Sequence, residues 1–291
     1  MTGDETTTPI PSEEPLANQA PKPTSTSPIA SEFKGRDWQG YIVLVAGVGA
    51  LLWGLFSALG VGMGLWEWGS GLTGVLWSFI LAIGAILFGI LFGWRAKKSG
   101  IVRPRILRWV GMLSAIVYAG WIGTFVFAGL TVPAIHDVST DLADPPAFSE
   151  LALRADNWDN IPGADDAEMK GLNPQQRWVI VHQKAYGDIR SVRIDEPVPT
   201  VIAKAERLAK TRGWDVVISL PEEGRLEATE TTAFFRFKDD VVLRIKPTDT
   251  GEGSIVDMRS VSRVGVSDLG MNAKRVRSFL ADLSGTVTAA P

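Results

Sequence analysis

Three long apolar runs dominate the first half of the chain. Residues 41–65, 72–94 and 109–130 contain no charged side chain. A helix rises about 1.5 Å per residue, so about 20 apolar residues are needed to cross a hydrocarbon layer about 30 Å thick. A helix also satisfies its backbone hydrogen bonds internally, as lipid requires. The pattern therefore predicts three transmembrane helices within residues 38–135, with the lipid bilayer as a partner.

The charges between these runs predict the orientation of the helices. The turn between the first two runs carries no Lys or Arg. The connection between the second and third runs carries six cations: Arg95, Lys97, Lys98, Arg103, Arg105 and Arg108. Because Lys and Arg accumulate in cytoplasmic loops, we predict a multi-pass protein of the inner (cytoplasmic) membrane with a cytoplasmic N-terminus. Everything after the third helix is then extracytoplasmic, in the periplasm.

The two ends of the chain are predicted to be flexible. Residues 1–37 are rich in Thr, Pro, Ser and Glu. Such a segment cannot bury enough apolar surface to offset the loss of conformational entropy on folding. We predict a disordered cytoplasmic tail over residues 1–37 and a short flexible tail over residues 285–291.

Small residues recur at every fourth position within the apolar runs. The three stripes are Ala50, Gly54, Ala58 and Gly62; Ala85, Gly89 and Gly93; and Gly111, Ala115, Ala119 and Gly123. Small side chains let helix backbones approach closely, so we predict that the helices pack as a bundle or form a homo-oligomer. A transport path is disfavoured, because Glu67 is the only charged side chain between Asp37 and Arg95.

The pattern changes at residue 136, where short alternating segments replace the apolar runs. Helices are predicted over residues 199–211 and 268–283, with a shorter one over residues 148–154. Strands are predicted over residues 178–182, 189–194, 214–220, 225–232, 233–245 and 254–264, the fifth broken at Asp239 and Asp240. Strands flanked by helices favour an α+β domain over residues 136–284, in which two helices cover one face of an antiparallel sheet.

Composition restricts the chemistry of this domain. From His136 onward the chain has 25 acidic and 20 basic residues, which argues against nucleic acid as a partner. The chain has no cysteine and therefore no disulfide, thiolate nucleophile or Cys-ligated metal. His136 and His182 are the only histidines, and neither has the spacing of a zinc site or a catalytic triad. We therefore predict no catalytic residues, metal or cofactor, and leave enzymatic activity open.

Residues 254–275 carry the densest cluster of polar functional groups in the domain. Successive side chains of a strand point to opposite faces, so the charged residues at 257, 259 and 263 share one face and the serines share the other. The turn after the strand leads into the last helix, whose first amides are available to a capping side chain. The candidate site residues are Asp257, Arg259, Ser260, Ser262, Arg263, Asp268, Asn272 and Arg275.

Two interpretations of this cluster stand side by side. In the first, two guanidinium groups beside a helix N-terminus bind the carboxylate or phosphate of a small anionic ligand. In the second, the cluster is structural, and Arg259 pairs with Asp257 or Asp268 to lock the strand to the helix. We favour the second, because a structural ion-pair network produces the same pattern of residues.

Four stretches of the domain carry a family resemblance. They are residues 136–140 (HDVST) leading to 145–148 (PPAF), residues 213–214 (GW), residues 237–244 (FKDDVVLR) and residues 254–275 (SIVDMRSVSRVGVSDLGMNAKR). Together they resemble a bacterial domain-of-unknown-function family, number 1499, over about residues 136–283. The resemblance implies a domain boundary near residue 136. It implies no chemistry, because that family has no assigned activity.

The sequence as a whole predicts a membrane-anchored, extracytoplasmic domain that binds a ligand or acts as an interaction scaffold in the cell envelope. Three uncharged spans, a compact outer domain and the lack of a catalytic set favour this hypothesis. An envelope protein is then an expected partner besides the bilayer. The alternative is an anchored enzyme or anion-binding module that uses Asp257, Arg259, Arg263 and Asp268.

Overall fold

The computed structural model describes residues 1–3, 38–98 and 106–285. The predicted tail over residues 1–37 lies outside the described residues except for its first three. Of the predicted tail over residues 285–291, only Gly285 is described. Arg103 and Arg105, two of the six cations between the second and third spans, also lie outside the described residues.

The described part of the membrane segment consists of three helices. α1 spans Trp38–Gly62, α2 spans Trp68–Lys98 and α3 spans Ile106–Thr131. Each is long and apolar enough to cross a membrane, and side chains such as Val45 and Leu87 are exposed on their outward faces. A helix that is apolar on its outward face suits lipid rather than water. The three long apolar helices predicted from the sequence are therefore confirmed.

Small residues allow α1 and α3 to pack closely. Gly47 and Gly111 are both buried, and a Cβ atom on Gly47 would lie 2.0 Å from the carbonyl oxygen of Gly111. Two turns further along, a Cβ atom on Gly54 would lie 2.0 Å from the hydroxyl of Tyr118. That hydroxyl is hydrogen-bonded to Ser78 of α2, so all three helices meet at this level. Homo-oligomer formation stays a prediction.

Residues 132–285, all of which are described, contain six strands and three α-helices. The strands are β1 (Asp137–Ser139), β2 (Val192–Ile194), β3 (Asp215–Leu220), β4 (Arg225–Thr231), β5 (Lys238–Pro247) and β6 (Ser254–Ser262). The helices are α4 (Pro174–Tyr186), α5 (Val198–Thr211) and α6 (Met271–Ser284). Single turns of 3₁₀ helix lie at Ala167–Met169 and Pro221–Glu223.

The strands form one antiparallel sheet that is organised around β6. The order is β1-β6-β5-β4-β3, and β2 also pairs with β6. β1 pairs with the C-terminal part of β6, where Val138 lies opposite Ser260. β2 pairs with the N-terminal part, where Arg193 lies opposite Ile255. One edge of β6 is thus shared by two short strands from distant parts of the chain, so β6 gathers residues that are far apart in sequence.

Two helices cover one face of the sheet and form the apolar core with it. The buried side chains are Val201, Ile202 and Ala205 of α5, Val276, Phe279 and Leu280 of α6, and Leu226, Leu243, Val256 and Met258 of the sheet. Full burial of one large apolar side chain contributes about 1.5–3 kcal/mol. The α+β prediction is confirmed, and a third helix, α4, adds Trp178 and Tyr186 to the same cluster.

The predicted strand over residues 178–182 is wrong, because these residues lie in α4. The helix is preceded by Asn173, whose side chain forms a reciprocal capping box with Gln176, and Pro174 occupies the first helical position. The buried residues recur at intervals of four: Trp178, His182 and Tyr186. The β-branched residues between them explain why the short run has the composition of a strand.

Two other local predictions are also wrong. Residues 148–154 form no helix, because backbone amides in this segment donate to the carboxylate of Glu227 on the sheet. Asp239 and Asp240 do not break a strand, because β5 begins at Lys238 and runs through both. Both carboxylates are buried and paired with arginines, and the chain reverses at residues 232–237 instead.

We expect Gly47→Leu to destabilise the packing of α1 against α3, because any side chain at this position would overlap with the Gly111 carbonyl. Overpacking of this kind costs about 1–3 kcal/mol. The thermal unfolding midpoint of the full chain in detergent measures the effect. Gly49→Leu is the matched control, because a Cβ atom on Gly49 meets nothing within 4 Å. Equal midpoints for the two variants would contradict the close approach of the helices.

Candidate functional site

The structure divides the eight candidate residues between the two faces of β6 and the start of α6. Asp257, Arg259 and Arg263 lie on the face opposite the helices, which we call the charged face. The remaining five lie on the helix-covered side or at the start of α6: Ser260, Ser262, Asp268, Asn272 and Arg275. The alternation of faces along β6 therefore agrees with the strand period of two.

Arg259 is buried on the charged face and forms a two-pronged ion pair with Asp137 of β1. Its Nε lies 2.9 Å from one carboxylate oxygen and its Nη2 lies 2.6 Å from the other. The guanidinium also donates to the carbonyl of Pro146 and lies 6.0 Å from the ring centre of Trp158. Arg259 is 5% exposed and Asp137 is 0% exposed. The predicted pairing of Arg259 with Asp257 or Asp268 is therefore wrong.

Neighbouring polar groups donate hydrogen bonds to the remaining acceptors of Asp137. The side-chain amide of Asn157 donates to the Asp137 carboxylate at 2.8 Å, and its oxygen lies 3.2 Å from Nε2 of His136. The indole of Trp178 donates to the Asp137 carbonyl at 2.8 Å. A buried ion pair is tolerated only when its remaining hydrogen-bonding groups are paired, and this arrangement meets that condition.

Asp257 pairs with Arg244 of β5 rather than with an arginine of its own strand. The Arg244 guanidinium donates to Asp257 at 2.9 and 3.1 Å, and Ser191 donates to the same carboxylate. Arg244 also reaches Asp141 at 3.0 Å and Asp144 at 2.7 Å. Burial acts to lower the pKa of Arg244, but the surrounding carboxylates, Asp257 first, outweigh it and raise that pKa. The guanidinium therefore stays charged.

Arg263 is the most accessible candidate on the charged face. Its side chain is 42% exposed, yet its guanidinium donates to both oxygens of Asp240 at 2.8 and 2.9 Å. The hydroxyl of Thr229 donates to Asp240 at 2.8 Å. The bond to Asp240 raises the pKa of Arg263. Two of the directed donors that an anionic ligand would need, Nε and Nη2, thus bind a carboxylate of the protein itself.

Glu227 fastens an irregular segment onto the charged face. Its buried carboxylate accepts the backbone amides of Ser149, Glu150 and Leu151 at 2.6, 3.1 and 2.8 Å, and the Ser149 hydroxyl at 2.8 Å. Burial acts to raise the pKa of Glu227, but these hydrogen bonds outweigh it and lower the pKa. The segment is therefore attached to the sheet through a buried carboxylate.

A second polar cluster lies between β6 and α6, on the helix-covered side. The Ser260 hydroxyl donates to Asn272 at 2.7 Å, and Asn272 donates to the Ser262 hydroxyl at 2.9 Å and to the His136 carbonyl at 2.9 Å. The guanidinium of Arg275 donates to Ser260 at 2.9 Å, to Asp239 at 2.5 Å and also to Glu230. Every polar group of this cluster is thus held by another.

Asp268 caps the first turn of α6. One carboxylate oxygen accepts the amide of Gly270 at 2.8 Å and the other accepts the amide of Asn272 at 2.7 Å. Burial raises the pKa of Asp268. Arg259 plays no part here, so the last helix is attached to β6 by the cap, by Asn272 and by Arg275.

The two histidines serve as buried structural groups. Nε2 of His182 accepts the amide of Ser139 at 3.2 Å, and burial lowers the pKa of His182 to about 4. The ring is therefore neutral near pH 7. Within the described residues, no group of three or more His, Asp or Glu side chains is arranged to hold a metal ion.

The carboxylates that complete these clusters are not among the predicted site residues. Asp137 and Glu227 lie outside the predicted cluster at residues 254–275, and Asp239 and Asp240 are predicted only as a break in a strand. The sequence does carry a signal for such carboxylates. Several arginines lie on strands that are buried on both faces, and a buried guanidinium requires a buried carboxylate partner. These clusters hold elements of the fold together, and each of Arg244, Arg259, Arg263 and Arg275 has a carboxylate partner within the fold.

A family model described as Protein of unknown function (DUF1499) matches residues 137–283, which is half of the chain. The match begins at Asp137 of β1 and ends within α6. It therefore contains both polar clusters and excludes the membrane helices. No curated protein matches the chain.

We expect Glu227→Gln to loosen residues 149–151 from the sheet, because an amide group replaces one acceptor oxygen with a donor that faces other donors. Leaving buried polar groups unpaired costs about 1–3 kcal/mol. Hydrogen exchange of the Ser149, Glu150 and Leu151 amides should accelerate in the full chain. Glu223→Gln, at an exposed turn, is the matched control and should leave this exchange unchanged.

The attachment of residues 149–151 to the Glu227 carboxylate should weaken at acidic pH. The folded pKa of Glu227 lies below its ordinary value, so its stabilisation is present at neutral pH and is lost as the pH falls through that folded pKa. Exchange at residues 149–151 that is equally slow in Glu227→Gln and in the unmodified chain would contradict this attachment.

Proposed function

We propose that this chain, which belongs to the DUF1499 family of proteins of unknown function, is a membrane-anchored protein whose α+β domain is an extracytoplasmic interaction scaffold. The observation that carries the proposal is the closed ion-pair network on both faces of β6. Arg259, Arg263 and Arg275 each have a carboxylate partner within the fold. The cluster at residues 254–275 therefore acts by making the domain rigid.

A rigid domain suits a binding role for a physical reason. Association loses free energy when loops and side chains must be ordered at the interface, and a surface that is already ordered avoids this loss. The charged face is held by Glu227 and Arg244, which fix otherwise irregular segments. An envelope protein or a small ligand would meet this preorganised surface without remodelling it.

Charge placement supports the anchoring and its orientation. Arg95, Lys97 and Lys98 end α2, and Arg108 lies in the first turn of α3. Successive membrane helices alternate in direction, so the domain leaves α3 at the end of the bundle away from these cations. By the positive-inside rule the cation-bearing end is cytoplasmic. The domain is then extracytoplasmic, in the periplasm if the membrane is the inner membrane.

The alternative, an anchored enzyme or anion-binding module, finds less support. It requires guanidinium donors that are free for a ligand. Arg263 is the most accessible arginine of residues 254–275, and two of its guanidinium nitrogens donate hydrogen bonds to Asp240. An incoming anion would have to displace a carboxylate that is buried and hydrogen-bonded to Thr229, which carries a large desolvation cost.

The orientation can be tested with single cysteines, because the native chain contains none. We expect Glu252→Cys, on the exposed β5–β6 turn, to react with a membrane-impermeant maleimide in intact cells that express the full chain. Lys97→Cys, at the cytoplasmic end of α2, should react only after the cells are permeabilised. Mass shift on a denaturing gel is the readout.

The reverse pattern, with Lys97→Cys labelled in intact cells and Glu252→Cys protected, would overturn the extracytoplasmic placement. Labelling of both sites after permeabilisation serves as the control for expression and reactivity.

A further inference from the structure

The hairpin between β4 and β5, residues 232–237, reaches the end of α1, the start of α2 and Trp121 of α3. The ring of Phe234 lies 5.6 Å from that of Trp121 in α3, with an edge-to-face geometry. The ring of Phe237 lies 6.4 Å from that of Trp68 in α2. A Cβ atom on Gly62, the last residue of α1, would lie 2.6 Å from the Phe234 carbonyl oxygen. The hairpin therefore touches all three helices.

A second segment, residues 263–271, lies at the same end of the sheet. The amide of Arg263 donates to the Lys238 carbonyl at the base of the hairpin, so the two segments are neighbours. Further along, the side chain of Leu269 lies 3.5 Å from the position of a Cβ atom on Gly129 in α3. Val266 and Met271 of this segment are 45% and 47% exposed. The sheet thus stands with this end on the membrane bundle.

The exposed residues of the two segments combine apolar and basic character. Phe234 is 41% exposed although it contacts Trp121. Arg236 and Lys238 flank Phe237 and are exposed, and within the described residues neither forms an ion pair with a carboxylate. Aromatic rings and cations side by side are typical of the zone where a bilayer meets water.

We propose that these segments form an apolar seat that rests in the headgroup and upper acyl region of the adjacent leaflet. The seat consists of Phe234, Phe235, Phe237, Val264, Val266 and Met271. Arg236 and Lys238 lie over the phosphates of anionic phospholipids. The domain is therefore held upright on the membrane and does not move freely on a tether. This inference deepens the proposed function and rests on its membrane anchoring.

Continuity with the membrane helices favours lipid as the occupant of the seat. Phe234 extends the apolar surface of α3 at Trp121, which itself lies ten residues before the end of that helix at Thr131. The hairpin also contacts Gly62, which ends α1, and Trp68, which begins α2. The Phe234 residue therefore lies at the level where these two helices end, and at this level the headgroups and upper acyl chains of a bilayer would surround the helices.

Lipid contact can be measured on the full chain reconstituted in vesicles of phosphatidylcholine and phosphatidylglycerol. Ala233→Cys places a fluorophore beside Phe234 on the exposed turn, and a lipid with a nitroxide on its upper acyl chain quenches only fluorophores that touch lipid. We expect strong quenching at residue 233, close to that of Leu59→Cys on the lipid-exposed surface of α1. Glu252→Cys is the negative control. Residue 252 lies beyond the far end of β5, about 30 Å from residue 233 along the strand.

Further variants separate the outcomes. Phe234→Ser combined with Ala233→Cys should lose most of the quenching, and vesicles without phosphatidylglycerol should reduce it. Quenching at residue 233 as weak as at residue 252, with residue 59 strongly quenched, would overturn the seat and leave the anchoring intact. Weak quenching at residue 59 would overturn the anchoring itself. Quenching that Phe234→Ser does not change would also overturn the seat, because contact would then not depend on the aromatic ring.

Discussion

The buried pair between Arg259 and Asp137 fixes the relation between the membrane segment and the folded domain. Asp137 begins the first strand after α3, and Arg259 lies on the strand that organises the sheet. Isolated charges cannot be buried at acceptable cost, so the two residues specify each other. Their two-pronged geometry admits one register of β1 on β6. The point at which the chain leaves α3 is thereby coupled to the assembly of the sheet.

The other ion pairs extend the same arrangement outward. Arg244 joins β5 to β6 and to the segment around Asp141, while Arg275 joins α6 to β5. Irregular segments that would otherwise be mobile become parts of a defined surface. The end of the sheet that carries the β4–β5 hairpin contacts the three N-terminal helices through Phe234 and Leu269. Ion pairs inside the domain and contacts with the three N-terminal helices therefore hold these segments in defined positions, which is what the proposed scaffold requires.

The sequence predicted well those features that depend on local constraints. Lipid forces each span to be long, uncharged and helical within its own residues, so the spans were visible in composition alone. The period of two assigned Asp257 and Ser260 to opposite faces correctly. The ion-pair partners of the arginines were not predictable, because Asp137 lies 122 residues from Arg259 in sequence. α4 was not predicted, because the β-branched run at residues 179–181 has the composition of a strand although a capping box at Asn173 and Gln176 precedes it. Asp239 and Asp240 were misassigned because adjacent acids usually mark turns.

A double-mutant cycle on Arg259→Met and Asp137→Leu tests the central claim most directly. Each single change leaves a buried, unpaired charge and should lower the thermal midpoint of the full chain by the equivalent of about 3–5 kcal/mol. The double change removes both charges and should cost less than the sum of the two single changes, with a coupling free energy on the order of 2 kcal/mol. Costs that simply add, with no coupling, would contradict a fold built on this pair.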